Sequence, residues 1–240
     1  MKKTWLIGFA VALITDLIAV YLKNEILVYV AKPLIVIALI LYFLSATKGM
    51  QSGLIIIFIR ALVFSWLGDF VLMFESFNKN IFLIGLLAFL FAHLIYIRFF
   101  SLVRMQEKIK LKPGLILLVV VYYSGLIFLL FNDLHELKIP VIVYGFIIST
   151  MFLLAIHMLF IKDKEAGKLM MLGAILFVAS DSILAVNKFY QPFEYAGIVI
   201  MLTYGIAQLL ITLGAVRYIL PPQNNKFAIR FATEARRSDE

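Results

Sequence analysis

An all-α fold, a polytopic transmembrane bundle of about eight helices, is predicted by three features of this sequence. Hydrophobic residues make up 64% of the 240 and charged residues only 15%, against roughly 45–50% and about a quarter in soluble domains. The apolar residues gather in eight long runs, each near the ~20 residues that a helix needs to cross the hydrocarbon core. Lysine and arginine are crowded into alternate connections between those runs. Strands of a transmembrane β-barrel are about half as long and alternate in polarity, which these runs do not.

The first run, 5–22, follows Lys2-Lys3 and could pass for a signal peptide, but it has no clear small-x-small cleavage site and more spans follow at once. It reads as a retained first helix. The next runs cover 26–44, 53–74, 80–98, 113–131, 139–161, 169–187 and 195–219. Pro33 and Pro140 fall near helix starts, where proline is tolerated. Eight spans consume about 160 residues, too many to leave room for a folded aqueous domain. Residues 1–220 therefore form a single transmembrane domain. Residues 221–240, beginning at Pro221-Pro222, form a polar tail.

Charge fixes the expected orientation. With the N-terminus in the cytoplasm, 16 lysines and arginines lie on the cytoplasmic side, crowded at 98–112, 162–168 and 217–237. The opposite side holds four: Lys23, Lys79, Lys138 and Lys188. That is a clear positive-inside bias, so both termini and the tail are expected in the cytoplasm of an integral multi-pass protein. The compact chain suggests a bacterial inner membrane. The net charge of +8 is then topology, not a nucleic-acid patch. The chain has no cysteine, which excludes thiol catalysis and thiolate metal sites.

Function is best sought among polar groups at membrane depth, where an ionisable side chain costs about 2.5–3.5 kcal/mol on insertion scales. These are Asp16, Lys32, Arg60, Asp69, His93, Asp181 and, near an inner end, His157. At 1.5 Å per residue, Asp69 and Asp181 lie roughly 8–9 Å from the outer ends of the third and seventh spans. Asp16 and Lys32 come out at about the same depth, and that shared level points to a polar cavity open to the outside. Asp16 and Lys32 can equally snorkel or pair with each other, and Arg60 and His157 are expected to snorkel. His93 suits an interhelical hydrogen bond as well as catalysis. Short carboxylates snorkel poorly, so Asp69 and Asp181 are the functional candidates.

Their contexts match. Trp66-Leu67-Gly68-Asp69 parallels Val178-Ala179-Ser180-Asp181, and Ala92-His93-Leu94-Ile95 parallels Ala207-Gln208-Leu209-Leu210. A 4+4 parallel pseudo-repeat would bring the two carboxylates together about a pseudo-twofold axis.

The ordered pieces Lys32-Pro33, Gly68-Asp69-Phe70-Val71-Leu72-Met73, Phe82-x-x-Gly85-x-x-x-Phe89-x-x-x-His93-x-x-Tyr96, Gly173-Ala174-x-x-Phe177-x-x-Ser180-Asp181, Asn187 and Tyr204-x-x-x-Gln208 resemble the YhhN-like, or lysoplasmalogenase, family of eight-span membrane proteins. The resemblance covers roughly residues 5–218. It implies hydrolysis of the vinyl ether of a lysoplasmalogen, a lysophospholipid, to a fatty aldehyde and a glycerophospho-ethanolamine or -choline. The family's two hallmark aspartates map onto Asp69 and Asp181. Lys32, His93, Tyr96, Asn187, Tyr204 and Gln208 are then expected to bind substrate or support the pair, with no metal and no cofactor. Straight-helix geometry puts His93 and Gln208 about 10 Å deeper than the aspartates.

The chemistry suits the residues. Protonation of the alkene carbon makes an oxocarbenium ion that water traps, a task for one acid and one base, as in glycosidases. A proton-coupled transporter stands as the alternative, since paired aspartates and parallel repeats also serve transport. Three histidines and no H-E-x-x-H argue against a metallohydrolase.

Overall fold

The computed structural model describes residues 2–220; the expected tail at 221–240 lies outside them. Eight α-helices are found and, among the described residues, no strand: α1 Lys2–Tyr21, α2 Glu25–Ala46, α3 Gly53–Leu72, α4 Lys79–Gln106, α5 Pro113–Leu130, α6 Lys138–Ile156, α7 Lys164–Ala185 and α8 Ala196–Ile219. All eight are long and apolar enough to cross a membrane, and the chain is an integral multi-pass membrane protein.

Polar side chains start the helices where the apolar runs begin. Asn24, Ser52 and Asn78 each accept a hydrogen bond from a backbone N–H in the first turn of α2, α3 and α4, meeting donors that have no partner within the helix. Pro113 opens α5, where its missing N–H costs nothing. Asp163 caps α7 through the amides of Glu165 and Ala166, so that helix starts five residues before the apolar run at 169. α4 also outruns its expected end at 98 and continues to Gln106. No proline or glycine interrupts it there, and Phe99, Phe100 and Val103 are fully buried. α6 gives way early to a 3-10 turn at His157–Phe160.

α3 packs along α4, α1 along α2, and α7 along α8. α8 is the central element, touching α1, α2, α3 and α7 and burying Tyr204, Gln208, Ile211 and Ala215. Without a hydrophobic force between helices in lipid, close backbone approach is what holds them. At Gly173 an added Cβ would stand 2.8 Å from the Ala207 carbonyl oxygen of α8, and at Gly214 one would stand 2.9 Å from that of Ala166 in α7. Phe58 anchors the other side, with its ring centroid 4.7 Å from Phe43, 5.7 Å from Tyr96 and 5.0 Å from Phe99. α5 is the most peripheral helix: only Val119 and Leu130 are buried.

Beyond α7 the chain makes one π-helical turn, Val186–Tyr190. Such turns gather at functional sites. This one carries Asn187 and Lys188 over the lysine-poor end of the bundle.

Candidate active site

Asp69 sits in the last turn of α3, and Gly68 lets that turn lie against α4: a Cβ there would come within 2.5 Å of the Phe89 ring. The close packing turns Asp69 inward, where it is 5% exposed. The Tyr204 hydroxyl donates to its Oδ2 at 2.7 Å. Gln208, one turn further along α8, donates from Nε2 to the Tyr204 oxygen at 3.3 Å and accepts from the Tyr96 hydroxyl at 2.8 Å. Tyr96 and Gln208 are fully buried and Tyr204 nearly so. A relay of three side chains thus leads from Asp69 into the interior.

Asp181 sits near the end of α7, where Ser180 anchors to the α8 backbone through the Ile200 carbonyl. The Tyr144 hydroxyl of α6 donates to Asp181 Oδ2. His93 Nε2 lies 2.9 Å from the Tyr144 oxygen and 3.4 Å from Asp181 Oδ2. Tyr144 thus lies between His93 and Asp181. Each aspartate is therefore backed by a tyrosine and then by a deeper polar side chain.

Both carboxyls line one cavity of about 250 Å³, with Lys32, Tyr144, Ser180, Asn187 and Tyr204 among its walls. Asn187 accepts from the Phe193 amide at 3.1 Å and so pins the connection to α8. Glu75 also lines the cavity, bridged at 3.4 Å by Lys188. Among the described residues, no group of three or more His, Asp or Glu side chains is placed to hold a metal ion.

Of the residues expected at the site, Asp69, Asp181, Lys32, Asn187 and Tyr204 line the cavity, whereas His93, Tyr96 and Gln208 stand behind it. His93 Nε2 nonetheless reaches to 3.4 Å from Asp181 Oδ2, and Gln208 is joined to Asp69 through Tyr204. Asp16 makes no ion pair with Lys32 among the described residues; it is fully buried, and none of their polar groups meets either of its oxygens. His157 does not snorkel. It is fully buried, accepts from the Lys112 amide at 3.0 Å and bonds the Leu153 carbonyl through Nδ1, because the start of α5 needs an acceptor there.

Sequence reasoning missed Tyr144, Glu75 and Lys188. Tyr144 gave no signal among eleven tyrosines, since a tyrosine costs little in a membrane. Lys188 was one of only four lysines assigned to its side, and that scarcity was the available hint.

Residues 27–215 match the model of the YhhN family. The human protein named lysoplasmalogenase TMEM86B is 34% identical over 190 residues, spanning 79% of this chain and 74% of its own. Its rat counterpart is 36% identical over 140 residues, covering 57% of this chain and 53% of its own. Bovine lysoplasmalogenase TMEM86A is 32% identical over 176 residues, covering 70% and 68%. No solved structure matches. The family match takes in seven of the eight helices and every residue named above as lining or backing the cavity, so the chain belongs to the YhhN family.

Proposed function

We propose that this protein hydrolyses the vinyl ether bond of lysoplasmalogens, releasing a fatty aldehyde and glycerophosphoethanolamine or glycerophosphocholine. The observation that carries the reading is the pair of carboxyls, Asp69 and Asp181, facing one cavity at membrane depth in a chain whose relatives are named lysoplasmalogenases. One carboxyl in its acid form supplies the proton that the alkene carbon needs. The other, as carboxylate, stabilises the oxocarbenium ion and takes a proton from water, a division of labour familiar from glycosidases. Tyr204 and Tyr144 hold the two groups in place. Lys32 offers a cation to the substrate phosphate, and a single-chain lipid suits a cavity walled on one side by polar groups and on the other by Leu72, Phe82, Leu86 and Met201.

In this reading the cavity mouth faces outward and both termini lie in the cytoplasm, as the lysine bias favours, and the compact chain suits a bacterial inner membrane. The parallel between α3–α4 and α7–α8 fits a 4+4 pseudo-repeat, since both pairs pack closely.

Aldehyde release by the purified protein tests the reading, with lysoplasmenyl-ethanolamine set beside its saturated alkyl-ether analogue. Only the vinyl ether should turn over, and Asp69→Asn and Asp181→Asn should each lose about 10²- to 10⁴-fold, the usual contribution of an acid or base. Equal cleavage of the alkyl ether, or near-normal turnover by either variant, would refute the two-carboxyl mechanism.

A further inference from the structure

The polar cavity does not end at Asp181. On the far side of that residue a narrow apolar groove, about 50 Å³ in volume, runs along α5, α6 and α7. The two spaces share five lining residues: Phe82, Leu86, Tyr144, Asp181 and Leu184. Lys32, Asp69, Glu75 and Asn187 line the polar space only. Leu126, Ile127, Ile148 and Val178 line the groove only. Among the described residues, Asp181 is the one carboxyl that lines both spaces. The groove's outer wall is α5, whose Leu117, Leu118, Val121 and Phe128 are exposed and therefore face lipid in a membrane.

A single-chain ether lipid satisfies both spaces with its headgroup in the first and the first carbons of its chain in the second. In such a lipid the glycerol oxygen joins C1 of the chain, and C1 is doubly bonded to C2. The carbon that takes the proton is C2, one bond further into the chain than the carbon water attacks. The acid therefore belongs at the passage from polar to apolar, and the base belongs on the headgroup side.

We propose that the first carbons of the alkenyl chain enter the groove between α5, α6 and α7, making Asp181 the acid that protonates C2 and Asp69 the base that activates water. This assignment rests on the lysoplasmalogenase reading. Asp181 gives its carboxyl proton to C2, the alkene π pair becomes the new C–H bond, and an oxygen lone pair closes the C1–O double bond of the oxocarbenium ion. Asp69, the carboxylate in the space that Lys32 also lines, takes a proton from water as the water oxygen bonds to C1. The hemiacetal then collapses: its hydroxyl proton goes to Asp181, the bond from C1 to the glycerol oxygen breaks, and Asp69 protonates the departing oxygen. One water is consumed, and both carboxyls return to their starting forms.

Azide separates the two roles. It adds to the oxocarbenium carbon without giving up a proton, so it replaces water activated by a base but does not replace an acid. Substrate consumption would be followed for Asp69→Asn and Asp181→Asn of the full-length protein, with and without sodium azide. Azide should restore Asp69→Asn by at least about tenfold, yielding an azido ether, and leave Asp181→Asn unchanged. Rescue of Asp181→Asn alone, of both variants, or of neither beside an active wild type would overturn the assignment. A folded wild type that releases no aldehyde would instead overturn the reading beneath it, and the assignment with it.

The groove has its own test in Leu126→Trp, which fills it without touching either aspartate. Displacing roughly two methylenes of the chain lowers kcat/KM for a long-chain substrate about fifteenfold relative to a short-chain one. Equal losses at both lengths would remove the chain from the groove.

Discussion

Tyr204→Phe is the most discriminating single change at the site, because it removes one oxygen and leaves the packing alone. That oxygen donates to Asp69 at 2.7 Å and accepts from Gln208 at 3.3 Å. The phenylalanine ring keeps the edge-on contacts with Phe89 and Phe177, whose centroids lie 5.8 and 5.4 Å away, so no cavity opens. A hydrogen bond to a charged group is worth about 1.5–3 kcal/mol. If Asp69 must be held by that bond to act on water, the loss falls on the transition state and lowers kcat by about 10- to 100-fold. The Gln208 donor is also left unpaired, costing about 1–3 kcal/mol of stability. Tyr96→Phe removes a bond one step further from the carboxyl and serves as the comparison: it should show a similar loss of thermal stability with a much smaller loss of turnover. Steady-state aldehyde release and thermal unfolding in the same detergent read both quantities. Equal kcat losses in the two variants would mean that the relay supports the fold and not Asp69. Wild-type kcat in Tyr204→Phe would show that Asp69 needs no positioning.

Two further outcomes follow from the bundle itself. Gly173→Ala forces a methyl to within 2.8 Å of the Ala207 carbonyl and should cost about 1–3 kcal/mol, whereas Gly125→Ala on α5, with nothing within 4 Å, should be neutral or slightly stabilising; matching unfolding temperatures would refute the close α7–α8 contact. Burial would raise the Asp163 carboxyl, but the Ala166 amide, the Arg217 guanidinium and the Glu165 amide outweigh it and hold the group below its ordinary 3.8. Its contribution is therefore complete above that value and is lost as pH falls through the lower folded one, so the gap in unfolding temperature between wild type and Asp163→Asn should be constant from about pH 5 to 8 and close only in stronger acid. A gap that closes already at pH 6 would refute the link.

The sequence made the spans legible because a bilayer leaves little choice: some 20 apolar residues in a row must be a helix. Span ends were less legible, since they depend on whether the first polar residues find a partner. Asp163 found two amides and Arg217, which moved the start of α7 out of the apolar run. Among site residues, those that pay a penalty at membrane depth announced themselves. Asp69, Asp181 and Lys32 were visible for that reason, and His93 and Gln208 were visible but seemed too deep. Tyr144 was invisible because its cost is hidden. A phenol is cheap in lipid, and its worth here comes from lying between His93 and Asp181, a fact of the crossing of α4, α6 and α7.

The same contrast bears on how the two aspartates differ. Their local sequences are alike, and each is reached by a tyrosine hydroxyl, so sequence symmetry alone would give them the same role. The fold breaks that symmetry around them. Asp69 faces the space that Lys32, Glu75 and Asn187 line, with the relay through Gln208 behind it. Asp181 looks toward His93 and an apolar groove behind α5. Even two equivalent carboxyls can act together as acid and base when they share one proton. Unequal surroundings fix which of the two gives the proton and which takes it.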